Sequence, residues 1–381
     1  MHYKVELPIS KSIANRWLML QAIHGDELMP VSDSMPDDVQ ILHRALTTLK
    51  TFRTSETIST PHLDVANCGT AMRFLTAYCA QLEGQTTILD GVERMHHRPI
   101  GQLVNALRSI GANIEYLGEE GFPPLRITGK ALNKSQPITL NNPQSTQFVS
   151  ALLLIGANVQ TNSTSPYITL TRSLIEQYTL ASSPYRLSPL ALEKDWSAAA
   201  FWYEYVALHG GEIMLPGLSR DSLQGDKVVA GIFTYLGVRT TYTPEGITIS
   251  KDTASGKEYN NSIFAEARQE VDCRATLLTN NVVDIVVNKC TLSIDFSACP
   301  DLYPAVALTC ERLGITLHAT GVESLLLKES DRLRAVAEHR TDSDHRMAMA
   351  LLIAGYEVDD TACISKSYPQ FLEQFHQLQH S

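Results

Sequence analysis

At 381 residues, 44% hydrophobic and 7% aromatic, the chain is long enough for roughly two to three domains with real cores and has the composition of an ordinary globular enzyme. A formal net charge of −10 argues against general nucleic-acid binding, so the cations are local devices. Seven scattered cysteines without a Cys-x-x-Cys spacing argue against a disulfide framework or a zinc site, and no apolar run of about 18 residues or basic-then-apolar leader occurs. A cytoplasmic protein with no membrane or nucleic-acid partner is expected.

The first predicted helix opens at Leu7-Pro-Ile-Ser-Lys-Ser-Ile-Ala-Asn-Arg16. Ser12 is a favourable N-cap, and Ile13, Trp17 and Leu20 recur at helical spacing, so Lys11 and Arg16 stand beside the exposed N–H groups of a helix start. Such an N-terminus already carries about half a positive charge, and cations there are disfavoured unless an anion neutralises both. Taken alone, the stretch is explained as well by two solvated cations. It is not a P-loop, because no glycines precede Lys11-Ser12. A second helix opens at Asp37-Asp38-Val39, with acids where the dipole prefers them, which ordinary capping explains. Residues 51–62 read as loop or short strand. Asn67-Cys-Gly-Thr-Ala-Met-Arg73 repeats the cationic helix start with a Gly-Thr cap. His96-His97 are adjacent rather than four apart, so no metal is expected there.

Leu103 to Tyr116, followed by a turn and Leu125-Arg-Ile-Thr, reads as helix, glycine cap, strand, turn, strand. A close echo runs from Val228 to Tyr242, then Ile247-Thr-Ile-Ser; a looser one runs from Phe148 to Gln160 and predicts a strand at Tyr167-Ile-Thr-Leu. Repeats of this kind imply an α/β protein built from copies of one helix–strand–strand unit. Gln144-Ser-Thr-Gln147 and Lys194-Asp-Trp-Ser197 are polar helix starts, and Pro184 to Pro189 is the best linker candidate. Lys328-Glu-Ser-Asp-Arg332, with Ser330 or Asp331 as cap, and Thr341-Asp-Ser-Asp-His-Arg346 bring the cationic helix starts to four. One departure from the dipole rule is noise; four point to a shared site for an anionic ligand.

The chain resembles the 5-enolpyruvylshikimate-3-phosphate synthase family, the 3-phosphoshikimate 1-carboxyvinyltransferases, over nearly its whole length. The resemblance rests on Ser10-Lys-Ser-Ile-Ala-Asn-Arg16, Asn67 to Arg73, Arg94-Met-His-His-Arg-Pro-Ile-Gly101, Gln144 to Gln147, Gln224-Gly-Asp226, Pro300-Asp301, Lys328 to Arg332, Asp344-His-Arg-Met347 and Lys366-Ser-Tyr-Pro369, in the family's order. It implies two similar inside-out α/β barrel domains built from βαβαββ repeats, residues 12–192 and residues 1–11 with 193–381, with the active site in the interdomain cleft. It also implies transfer of the enolpyruvyl group of phosphoenolpyruvate to the 5-hydroxyl of shikimate 3-phosphate, with release of phosphate, by a monomer without metal or cofactor. By resemblance, Lys11, Arg98, Arg332, Arg346 and Lys366 hold phosphoenolpyruvate, with Gly69 allowing close backbone approach. Ser12, Arg16, Ser145, Thr146, Gln147, Tyr167 and Lys328 hold shikimate 3-phosphate. Asp301 and Glu329 are the general base and acid, assisted by Lys11.

Thr146 stands for the family's more usual Ser, Cys68 for Ala and Ser324 for Asn. The larger departure lies between Arg332 and Asp344, where relatives carry a long segment and this chain has eleven residues. The last repeat of the C-terminal domain is therefore expected to be truncated, leaving that domain with fewer strands than the other. Two rivals remain. A sister family acting on UDP-N-acetylglucosamine carries a reactive Cys near its Arg-Pro pair, whereas His96-His97 precede Arg98-Pro99 here. A degenerate member would bind the anionic substrate with little or no turnover.

Overall fold

The computed structural model describes residues 2–54, 59–181, 192–252, 274–276, 284–288 and 291–379. The linker expected at Pro184 to Pro189, and Cys273 and Cys290, lie outside these residues. Cys68, Cys79, Cys299, Cys310 and Cys363 are free thiols, all but Cys363 buried. The chain forms two compact units, Lys11–Leu192 and Met1–Ser10 with Glu193–Ser381. The first strand, β1 (His2–Lys4), belongs to the second of these.

The unit Lys11–Leu192 begins with α1 (Lys11–His24) and α2 (Asp37–Thr54). There follow β2 (His62–Asp64), α3 (Gly69–Ala80), β3 (Thr86–Asp90), the single turn α4 (Glu93–His96) and α5 (Gly101–Ser109). A hairpin of β4 (Asn113–Tyr116) and β5 (Leu125–Thr128) closes a mixed sheet of order β2-β3-β5-β4, in which β2 and β3 run parallel with Leu63 beside Leu89. The remaining elements are β6 (Ile138–Thr139), α6 (Thr146–Leu154), β7 (Val159–Gln160) and α7 (Pro166–Leu180), with β6 and β7 paired in parallel. Every residue of α3 except Thr70 is buried. A helix apolar on all sides must lie inside, and α1, α5 and α6 pack on it.

The other unit is built around α8 (Trp196–His209), which Asp195 caps by accepting the Ala198 N–H at 3.1 Å. After it come β8 (Glu212–Pro216), α9 (Val229–Thr234), β9 (Val238–Thr243) and β10 (Gly246–Lys251), and the sheet order is β1-β8-β10-β9. A second sheet joins β11 (Arg274–Thr276), β12 (Asp284–Asn288), β13 (Thr291–Asp295) and β14 (Thr316–Thr320) in that order, with α10 (Tyr303–Leu313) between its last two strands. The chain ends with α11 (Arg332–Glu338), α12 (His345–Ala354) and α13 (Phe371–Gln379). Helices α8, α10 and α12 pack on one another in a core that includes Trp196, Trp202, Val306, Met347 and Phe371.

Both strong echoes fold alike. Helix α5 with β4 and β5, and α9 with β9 and β10, each end on a glycine of positive φ, Gly111 (105°) and Gly237 (80°), before the hairpin that pairs with the second strand of a parallel pair. The looser echo does not: Tyr167 lies in α7, where Pro166 occupies the first turn. Apolar Tyr-Ile-Thr-Leu suits either structure, and a proline at a helix start decides for the helix. Residues 51–54 continue α2 rather than forming a loop, their threonine hydroxyls donating back to carbonyls of the preceding turn, as from Thr51 to Thr47 at 3.0 Å. The expected strand deficit is reversed among the described residues: six strands lie in Lys11–Leu192 and eight in the other unit. Strands β11 and β12, which the sequence reading left unassigned, pair antiparallel onto β13, so β14 has no partner on its other side among the described residues.

Candidate active site

In the unit Lys11–Leu192 the candidate residues other than Arg98 lie at or near the starts of four helices, α1, α3, α6 and α7. Helix α1 begins at Lys11 itself, so Ser12 is inside the first turn rather than its cap. Lys11 Nζ meets Asp38 Oδ2 at 2.9 Å, which gives the acid read as ordinary capping a specific partner. Arg16, 3% exposed, donates from Nη1 to Ser12 O (2.8 Å), from Nε to Thr171 Oγ1 (2.7 Å) and from Nη2 to Ser150 Oγ (3.1 Å) and Tyr167 O (3.4 Å). One side chain thereby ties the starts of α1 and α7 to α6. Ser145 caps α6, accepting the Gln147 N–H, and the Gln147 amide reaches Thr70 Oγ1 at the start of α3 (3.0 Å). Thr146 is the first residue of α6.

The cation at the start of α3 is not the expected one. Cys68, not Gly-Thr, is the cap, its sulfur accepting the Ala71 N–H at 3.3 Å. Arg73 lies one turn further on, buried, with Nη1 on Gly69 O and Nη2 on Pro99 O. Arg98 takes the position instead. A Cβ built on Gly69 would lie 2.5 Å from Arg98 Nη2, so Gly69 makes room for this guanidinium. Arg98 Nη1 donates to Asn67 O at 3.2 Å, and its buried Nε has no partner among the described residues.

The hydrogen bonds of Arg16 and Arg73 named here all go to neutral acceptors. Burial pulls Arg16 down to about 10 and, with the nearby Arg98 charge, holds Arg73 well below the usual arginine range. Desolvated cations without a counter-charge are costly, and the positive ends of four helix dipoles add to the same field. The arrangement favours an anion strongly.

In the other unit the candidates form a carboxylate–cation network. Asp301 precedes α10, and its Oδ1 accepts Arg332 Nη1 (2.8 Å) while Oδ2 accepts Arg346 Nη2 (3.0 Å); Lys328 Nζ is 3.4 Å from Oδ1. Burial alone would raise Asp301, but the charges of Arg346, Lys328 and Arg332 outweigh it and hold the carboxyl well below its ordinary range. Glu329 bridges His345 Nδ1 (2.8 Å) and Lys366 Nζ (2.9 Å). Asp344, fully buried, caps α12 through the Arg346 N–H (2.9 Å) and also takes Arg332 Nε (2.7 Å) and Ser330 Oγ (3.2 Å). Asp331 caps α11.

Sequence reasoning placed no role on Asp344 or His345, although an Asp two residues before a helical Arg is itself a cap signal. It also gave no role to Asp226, whose Oδ2 accepts the Ser197 hydroxyl. Burial and then the Asp301 charge push that carboxyl up to about 7. Glu329, Asp344 and His345 bring ligand-type atoms within 4.8 Å of one another, but two cations, Arg332 and Lys366, already occupy those carboxylates. That donor set does not fit a metal ion.

The profile of the EPSP synthase family (3-phosphoshikimate 1-carboxyvinyltransferase) matches residues 1–339 and 335–375. Among curated relatives, the 3-phosphoshikimate 1-carboxyvinyltransferase of Bacteroides fragilis is 36% identical over 425 aligned positions, covering 96% of this chain and 93% of the relative. That of Cellvibrio japonicus is 31% identical, with 98% and 96% covered. Among solved structures, EPSP synthase from Acinetobacter baumannii aligns over 99% of this chain and 95% of its own with a TM-score of 0.59 at 18% identity, a likeness of fold.

Proposed function

The chain belongs to the EPSP synthase family, and from that membership we propose the reaction and the residues that carry it. The protein transfers the enolpyruvyl group of phosphoenolpyruvate to the 5-hydroxyl of shikimate 3-phosphate and releases phosphate. The near full-length family match carries this reading. Each substrate bears a phosphate and a carboxylate, which is the charge that buried arginines at helix starts and a lysine–arginine network call for. Protonation of the methylene carbon and attack on its neighbour by the hydroxyl, which gives up its proton, yield a tetrahedral intermediate, which then loses phosphate together with a proton from the new methyl group to restore the double bond. This chemistry needs positioning, fixed charge and proton transfer, and it calls for no metal or cofactor.

In Lys11–Leu192, Lys11 and Arg98 hold phosphoenolpyruvate, and Ser12, Arg16, Ser145, Thr146, Gln147 and Tyr167 serve shikimate 3-phosphate. Arg16 and Gln147 also fix the helix starts that present the others. In the other unit Arg332, Arg346 and Lys366 serve phosphoenolpyruvate, Lys328 serves shikimate 3-phosphate, and Asp301 and Glu329 move protons with help from Lys11. The two units are copies of the family's inside-out barrel, acting as a monomer in the cytoplasm; the matching order of β2-β3-β5-β4 and β1-β8-β10-β9 supports the duplication. The repeat after α11 is shortened. In support, six residues join α11 to α12, the two family matches meet at 335–339, and the alignment with the Bacteroides fragilis relative has more positions than this chain has residues.

A coupled phosphate-release assay tests the reading. Release is expected only with both substrates present and without added metal. Equal release with UDP-N-acetylglucosamine in place of shikimate 3-phosphate would reject it, and binding of shikimate 3-phosphate without any release would identify a degenerate binder.

A further inference from the structure

Arg98, whose Nη1 donates to Asn67 O, stands at the end of a short segment that Arg73 touches from α3 at Met95 Sδ (3.5 Å) and Pro99 O (3.1 Å). Helix α4 is one turn long, too short to persist by its own hydrogen bonds. Val92, Glu93 and Arg94 are exposed, and Met95 is the buried anchor. The segment's backbone reaches the neighbouring loop through the Val92 N–H on Ala66 O (3.2 Å). Asp90, the last residue of β3, grips both ends of the segment. Its Oδ1 accepts the Gly91 N–H at 2.7 Å and lies 2.8 Å from His96 Nε2, two residues before Arg98. Its Oδ2 lies 3.5 Å from His62 Nε2 on the adjacent strand β2. Glu93 Oε2 is 3.7 Å from the other nitrogen of His96. The Asp90 and His96 side chains are 28% and 30% exposed, so the pair is shielded beyond what an ordinary surface ion pair enjoys.

We propose that Asp90 and His96 are positioning residues, a latch that closes residues 91–98 into a fixed turn and so keeps the Arg98 guanidinium against Gly69. The functional half of this inference rests on Arg98 binding phosphoenolpyruvate; the structural half does not. Breaking the latch lets Arg98 leave its place before the substrate arrives, which weakens binding without removing a reacting group.

The test combines amide hydrogen exchange with steady-state kinetics on the intact chain carrying Asp90→Asn, His96→Ala or His96→Gln. Exchange across residues 91–98 is expected to quicken in the first two variants. Their KM for phosphoenolpyruvate rises about tenfold, while kcat and the KM for shikimate 3-phosphate stay within about twofold. His96→Gln, whose amide can donate to Asp90 from a similar reach, restores both readouts. Unchanged exchange in Asp90→Asn and His96→Ala overturns the latch, and an unchanged KM for phosphoenolpyruvate in an active protein overturns its functional half. If the unsubstituted protein releases no phosphate, the transferase reading falls alone and exchange across 91–98 decides the latch.

Discussion

Asp301 illustrates how a residue's identity can be legible while its state is not. The family resemblance implies that it is a base, yet its carboxylate is held by two arginines and a lysine that lie 27 to 45 positions further along the chain. A carboxylate held so far below its ordinary pKa is a weak base while those cations stay on it. Asp301→Asn and Glu329→Gln are expected to lower turnover by about 10²–10⁴, with calorimetric binding of shikimate 3-phosphate retained; wild-type turnover in either would remove that residue from the mechanism. The partners of Arg16 show the same limit. Ser12 lies one turn away and could be guessed, whereas Ser150 and Thr171 are 134 and 155 positions distant. Glu204 was missed outright, for nothing local marks a glutamate in a helix. It is fully buried in α8, neither carboxyl oxygen has a partner among the described residues, and burial holds its pKa well above the usual value. A carboxyl whose folded pKa is raised favours the fold while protonated; that stability is present below the unfolded pKa and is lost as pH rises toward the folded one. Glu204→Gln should therefore gain on the unsubstituted protein between pH 5 and 8, by at most about 1.4 kcal/mol per pH unit. Parallel denaturation curves at the two pH values would refute the buried acid.

At the scale of elements, the hairpin repeats were readable because three signals coincide there: helical periodicity, a glycine, then alternation. Strands β11 and β12 lacked them. Cys68 was overlooked because sulfur is a poor acceptor and is rarely considered a cap. The shortened junction after α11 was legible as a missing length, but not the way the chain bridges it. His339, Asp342 and Ser343 all adopt positive φ (52°, 46° and 56°). His339 stacks on Tyr356 at 4.0 Å and meets Glu311 at 2.9 Å, while Tyr356 donates to the same carboxylate at 2.5 Å. Side chains clasp α10 to the ends of α11 and α12 over a strained turn. Of the three residues, histidine and aspartate tolerate this conformation better than serine. Ser343→Gly should stabilise the protein by about 1 kcal/mol, measured by urea unfolding; an unchanged or lower midpoint would show that the turn is not strained at this residue.

At the scale of the molecule, the first ten residues belong with the last 189 rather than with those that follow them. Strand β1 pairs in parallel with β8, His2 beside Glu212 and Lys4 beside Met214, while Val5 and Leu7 are buried in the core and Glu6 is held by Gln374 and Tyr368. Leu7→Ala should cost about 2–5 kcal/mol. The loss belongs to one unit, so fluorescence from Trp196 and Trp202 should report earlier unfolding than fluorescence from Trp17; identical shifts for all three would show that the units melt together. The same pairing orders events at the ribosome. At about 5–20 residues per second, the N-terminal strand waits some tens of seconds for β8 to be made, and by then the whole of Lys11–Leu192 has been synthesised and most of it has emerged. Throughout that interval Val5 and Leu7 have no core to enter, and nascent chains stalled before Glu212 should present this apolar N-terminus to chaperones, whereas chains stalled after Lys251 should not.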